Sequence, residues 1–178
     1  MKKIETPIPG LYELQPRVFQ DDRGRLVKTF HEDTYIDLGL STTFTEEYYS
    51  TSVKGVLRGL HFQVPPHGHV KCVTCIAGKI FDVVVDLRKN SPTYKHHFSL
   101  ELDAEKGNML YIPEGFAHGF YVMSDSAIFL NRTSVVFKPE SDTGIKWDSC
   151  GIQWPDMDPI LSDKDISLVT LDEFESPF

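Results

Sequence analysis

From Phe44 to Val136 the chain is almost pure strand and turn: short apolar runs, each closed by glycine, proline, serine, asparagine or aspartate. The runs are Phe44 to Thr51, Gly55 to Gln63, Val70 to Ile76, Ile80 to Leu87, His97 to Leu102, Met109 to Ile112, Phe116 to Met123 and Ala127 to Val136. Ile80 to Leu87 alternates strictly through Asp82 and Asp86, the period-two pattern of a strand with two unlike faces. Strands of this length at near-regular spacing predict an all-β sandwich or barrel. Asp33 to Leu40, ended by Gly39, is the one short helix expected before them.

The flanks read differently. Gly10 to Leu14, bordered by prolines, suits an edge strand with exposed Leu11, Tyr12 and Leu14, and Asp21 to Gly24 reads as a turn leading into a strand over Arg25 to Phe30. From Phe137 to Phe178 the chain is rich in Pro, Asp and Trp. Trp147, Trp154, Ile160 and Leu161 imply that this tail packs back on the core, and Ser162 is placed to cap a short helix. The 178 residues are expected to form a single domain.

Eighteen basic against 26 acidic residues leave a net charge of -8, which repels phosphate backbones and anionic lipid. Nucleic acid and membrane partners are therefore not expected, and no apolar window is long enough for a membrane span. The first ten residues lack the pattern of a signal peptide, so cytoplasmic residence is the expectation. An odd count of three cysteines fits thiols in a reducing compartment. Cys72 and Cys75 lie three apart in a strand, which sends them to opposite faces of the sheet as core residues.

Chemistry concentrates around Gly55 to Gln63, where Arg58 and His61 interrupt an apolar run. Strict alternation puts them on opposite faces, unless Gly59 opens a bulge that turns both toward one cavity. Lys71, at the start of the next strand, is placed to stand beside His61. Pro113 to Phe120 fits the Pro-x-Gly-x-x-His motif of cupin jelly rolls. The companion metal motif is incomplete: His67 and His69 are present, but Val73 and Thr74 occupy the place of its glutamate. A metal-dependent cupin using His67, His69 and His118 is one alternative reading.

Taken together, Phe19 to Gly24, Gly55 to Gln63, Phe81 to Arg88, Ile112 to Phe120, Gly144 to Trp147 and Ile160 to Asp165 resemble the dTDP-4-dehydrorhamnose 3,5-epimerases. That resemblance implies a cupin-type jelly roll without metal or cofactor, acting on a nucleotide-diphosphate 4-keto-6-deoxysugar for deoxysugar and surface polysaccharide biosynthesis. It implies a homodimer with strands from residues 1–54 at the interface. By resemblance His61 is the general base, Asp165 the carboxylate that orients it, and Lys71 the cation beside the keto oxygen. Arg23 (from the partner subunit), Arg58, His118, Asp142 and Lys164 match substrate-holding positions.

The chain departs from the family in two places. Where the family has a tyrosine as opposite-face acid, in Phe-Leu-Tyr-Lys-Thr, this chain has Asn131 within Phe129 to Thr133. An amide cannot serve as a general acid at neutral pH, so either Tyr121, a water or another group replaces it, or only one carbon is inverted. The second departure is the family's Gln-Asp-Asn run, here Glu46-Glu47-Tyr48, together with Lys28 in place of a common glutamate. Lys28, Glu46 and Tyr48 therefore leave CDP- or GDP-linked substrates open beside dTDP. A noncatalytic sugar-nucleotide binder is a further alternative, against which stand His61, Lys71 and Asp165.

Overall fold

A computed structural model describes residues 1–178, with two antiparallel sheets facing each other across its middle. In chain order the strands are β1 (Lys2–Glu5), β2 (Tyr12–Gln15), β3 (Val18–Asp21), β4 (Gly24–Val27), β5 (Glu46–Val53), β6 (Leu57–Gln63), β7 (Lys71–Ala77) and β8 (Lys79–Asp86). They continue with β9 (His97–Asp103), β10 (Met109–Ile112), β11 (Phe116–Val122), β12 (Ser126–Thr133) and β13 (Asp142–Gly144). Two short helices, α1 (Glu32–Asp37) and α2 (Asp163–Ser167), complete the fold. One sheet runs β1-β2-β10-β7-β12-β5, the other β13-β6-β11-β8-β9, and β3 and β4 form a separate hairpin. This is the expected β-sandwich.

Alternation along the strands explains the layering. Val73 and Cys75 of β7, Phe129 of β12, Val84 of β8 and Phe120 of β11 point between the sheets into one apolar cluster. Phe120 and Phe129 stack across the gap with centroids 4.4 Å apart. The alternate residues of β6, β8 and β11, such as Leu60, Val83 and Tyr121, face outward and are covered by Trp147, Trp154 and Leu171 of the tail. On the other sheet Leu14, Cys72 and Met109 pack under Tyr35 of α1. Cys72 and Cys75 thus lie on opposite faces, both buried thiols.

Several expectations need correction. Leu11 and Leu14 are fully buried, and β2 is not an edge, because β1 pairs with its outer side and β10 with its inner side. The sequence hid β1 because Lys2 to Glu5 is polar and short. The expected turn at Asp21 to Gly24 is tighter: Asp21 and Gly24 pair as the last rung of the β3–β4 hairpin. Helix α1 begins and ends earlier than expected, Gly39 being beyond its C-cap with φ +68°. Trp147 and Trp154 return to the core, whereas Ile160 is 56 % exposed and contributes its backbone instead. Its N–H donates to Gly55 and its carbonyl accepts from Leu57, tying the tail to the start of β6.

The bulge expected at Gly59 is present. His118 pairs with His61 while Phe120 pairs with Arg58, so β6 spends one residue more than β11 over this stretch. Gly59 has φ +126°, and a Cβ there would lie 2.6 Å from the Cα of Gly119 and 2.8 Å from the carbonyl oxygen of His118. Two glycines therefore meet backbone to backbone, and the extra residue turns both Arg58 and His61 toward one cleft.

Candidate active site

At one end of the sandwich the apolar filling stops and polar side chains from both sheets converge. The cleft has two lobes of about 250 and 350 Å³, which share Tyr48, His61, Lys71 and Lys164 in their walls. Arg58 and His61 come from β6, Lys71 from β7, His118 from β11, Asn131 from β12 and Tyr48 from β5. Lys164 and Asp165 arrive on α2, and Asp142 on β13.

Asp165 is placed by the cap of its own helix. Ser162 is the N-cap, its hydroxyl accepting from the Asp165 N–H, while Asp165 Oδ2 reaches back to the Ser162 N–H and accepts from its hydroxyl at 2.6 Å. A cap of this kind contributes about 1 kcal/mol. Here it also fixes a carboxylate that is 3 % exposed. Its other oxygen, Oδ1, lies 2.6 Å from Nε2 of His61, close but out of line for a regular hydrogen bond, an arrangement an ionic contact tolerates. Burial raises the Asp165 pKa, but the contacts from His61 and Ser162 outweigh it and leave the carboxyl below its ordinary value. With Nε2 turned to an ionised Asp165, Nδ1 is the nitrogen of His61 free to accept a proton.

Lys71 is 7 % exposed, and its ammonium donates to the backbone carbonyl of His61 at 3.0 Å. Burial pulls its pKa down from 10.5 to about 8, against the attraction of Asp142 and Asp82. Asp82 is fully buried and holds Nε2 of His118 at 2.9 Å. Burial raises the Asp82 pKa and lowers that of His118, with their mutual attraction opposing both shifts. Removing one partner leaves the other polar group buried without its hydrogen bond, at a cost of about 1–3 kcal/mol. Asp82 was not singled out from sequence, although an acid in a valine-rich strand, on the same face as Val84, is the signal that marks it.

Of the other expected residues, Glu46 lines the outer lobe and accepts from the Phe137 N–H at 2.7 Å. Asp142 pairs with Lys164 at the rim. Arg58 donates to the Ser52 hydroxyl at 3.0 Å. Asn131 is 1 % exposed; its Nδ2 donates to the Tyr48 hydroxyl at 2.7 Å and its Oδ1 has no partner. Tyr121 lies elsewhere, in the outer cluster with Trp147 and Trp154, as strand alternation requires. Arg23 lies in the turn of the β3–β4 hairpin and Lys28 just past its end, both outside the cleft of their own chain, and the Arg23 guanidinium pairs with Asp21. His67, His69 and His118 do not converge. His67 Nδ1 meets Ser141, His69 Nδ1 meets Gln63 and His118 Nε2 meets Asp82, and no cluster of three metal-ligating side chains forms. Burial brings the His69 pKa down to about 4, so that ring is neutral near pH 7.

The sequence profile of dTDP-4-dehydrorhamnose 3,5-epimerase matches residues 5–173. A protein of that name from Shigella flexneri is 43 % identical over 170 residues, 94 % of each chain. The crystal structure of the dTDP-6-deoxy-D-glucose-3,5-epimerase of Legionella pneumophila, in complex with dTDP-4-keto-L-rhamnose, is similar at a TM-score of 0.93 and 36 % identity, covering 98 % of this chain and 94 % of that one. A 3'-monoepimerase from Streptomyces bikiniensis, in complex with dTDP-quinovose, is similar at a TM-score of 0.89 and 30 % identity over 95 % and 87 % of the two chains. With this agreement in sequence and fold over nearly its whole length, the chain belongs to the dTDP-4-dehydrorhamnose 3,5-epimerase family.

Proposed function

We propose that the cleft epimerises a nucleotide-linked 4-keto-6-deoxyhexose through an enolate, with the chain's own side chains as the only reacting groups. The observation that carries this is the meeting of an imidazole, oriented by Asp165 at 2.6 Å, with the buried ammonium of Lys71 in one cavity. A hydrogen on a carbon beside a ketone is acidic because its loss gives an enolate. His61 Nδ1 takes that proton, Asp165 stabilises the imidazolium as it forms, and Lys71 faces the charge that gathers on the ketone oxygen. Arg58 and Lys164 supply cations at the rim for a diphosphate, in a protein whose net charge is -8. The similar proteins named above bind or act on dTDP-linked sugars, which makes dTDP the first nucleotide to test.

Proton NMR in heavy water tests the reading with dTDP-, CDP- and GDP-linked 4-keto-6-deoxyhexoses. Solvent deuterium should enter the dTDP sugar at C3, C5 or both, and the labelled carbons give the number of centres handled. No exchange into any of the three would remove the enolate mechanism.

The protein is also inferred to act as a homodimer. The β3–β4 hairpin pairs with neither main sheet, and it exposes Phe19 by 45 % and Leu26 by 55 % beside Arg23. A two-stranded ribbon is marginal on its own, and an apolar face on it favours a partner. Docked on a second copy, it would bring Arg23 to that copy's cleft. Sedimentation at micromolar concentration should show a dimer; a monomer alone would take Arg23 out of the site.

A further inference from the structure

Inversion needs a proton donor on the face opposite His61, and Asn131 cannot be that donor. We propose that Tyr48 is the acid that delivers this proton, with Asn131 as the residue that positions its phenol. The inference rests on the enolate reading of the same cleft. Tyr48 lines both lobes, and it stands on β5 of the six-stranded sheet, whereas His61 stands on β6 of the other. A sugar between the sheets is therefore flanked by the two residues. Tyr121, a second phenol on β11, lies outside the cavity.

The contact between Tyr48 and Asn131 has the polarity that an acid needs. Nδ2 donates to the phenol oxygen at 2.7 Å, so the hydroxyl's own hydrogen is not spent on Asn131 and is free to point to substrate. The same donation stabilises the phenolate left after transfer. Burial and the carboxylates of Glu46 and Asp142 act the other way and hold the phenol pKa above its ordinary value, with Asn131 opposing them, so the group is protonated near pH 7. Asn131 and Tyr48 are also direct cross-strand partners of β12 and β5. By the resemblance noted in the sequence, Tyr48 falls where the family has the last residue of its Gln-Asp-Asn run and Asn131 where it has its tyrosine.

In the step itself the Tyr48 O–H bond breaks and a C–H bond forms at the enolate carbon from the enolate's electron pair, while the C4 ketone reforms. The phenolate and the His61 imidazolium then exchange protons with solvent at the cleft mouth; Tyr48 as a whole residue is 47 % exposed, while its hydroxyl end meets the buried Asn131.

The test compares inversion with exchange. In heavy water Tyr48→Phe should still wash deuterium into the carbon that His61 deprotonates, within a few-fold of the parent rate, because His61 returns a deuteron on its own face. Inversion should fall by at least about a hundredfold. Exchanging the pair, with Tyr48→Asn and Asn131→Tyr together, should restore inversion. Inversion by Tyr48→Phe at the parent rate would overturn the proposal. So would loss of exchange together with inversion, since an acid that acts after the enolate leaves its formation intact, and so would an exchanged pair that labels substrate but does not invert it. Absence of exchange in the parent enzyme would count against the enolate reading and not against Tyr48.

Discussion

His61→Asn is expected to lower solvent-deuterium exchange into the substrate by about a thousandfold or more while leaving nucleotide binding within a few-fold. The reasoning starts from geometry. His61 Nε2 is turned to Asp165 at 2.6 Å, so the second ring nitrogen is the only basic atom of this pair left to face substrate. An asparagine keeps much of the size and polarity but has no basic atom, and removal of a positioned base costs about 10²–10⁴ in rate. His61 lies part-exposed at the cleft wall, so the substitution leaves the apolar cluster between the sheets untouched. Asp165→Asn should act in the same direction with a smaller loss, because the amide still meets Ser162 while the charge that steadies the imidazolium is gone. Exchange rates by NMR and dTDP affinity by calorimetry separate the two effects. An unchanged exchange rate in His61→Asn would assign the base elsewhere.

The sequence carried most of the strand plan because that information is local. Turn residues mark the ends of β6 to β12, alternation marks their faces, and the glycine at position 59 announced the bulge that the β6–β11 register contains. Ser162 likewise revealed its cap, since the capping residues are neighbours in the chain. Features that depend on which strands lie side by side were not legible. Asp82 and His118 meet at 2.9 Å from positions 36 residues apart. Tyr48 meets Asn131 only because β12 lies between β5 and β7 in the sheet. Leu11 and Leu14 read as exposed in the sequence because nothing in Lys2 to Glu5 shows that this polar stretch covers them as β1. The family motifs pointed to the cleft residues individually, and the sheet order supplied their pairing.

Lys71→Met should abolish most turnover and at the same time make the protein more stable near neutral pH. The ammonium is 7 % exposed, and the fall of its pKa from 10.5 to about 8 means that the fold disfavours the charged form by about 3 kcal/mol. Methionine fills a similar volume without that charge. It also gives up the donation to the His61 carbonyl, at a cost of about 1–2 kcal/mol, so a net gain of about 1–2 kcal/mol remains, worth several degrees in Tm. The sign of the pH dependence identifies the cause. Below pH 8 both folded and unfolded chains hold the lysine proton, so the full penalty is present in the parent. Between about 8 and 10.5 only the unfolded chain holds it, so the parent gains stability as pH rises, and its deficit against Lys71→Met should close across that window and then reverse, since the lost donation to the His61 carbonyl remains. Turnover in the parent should fall through the same pH region, because a neutral amine no longer balances the enolate oxygen, and loss of such a stabilising group costs about 10²–10³ in rate. Thermal unfolding of both proteins at pH 7 and pH 10, with turnover measured beside it, decides the matter. A Lys71→Met protein that is less stable by the same amount at both pH values would show that the fold does not resist this charge. Turnover retained within tenfold would show that some other cation faces the enolate. A gain in stability joined to a loss of turnover would identify Lys71 as a charge kept in the interior for its chemistry and at a cost to the fold.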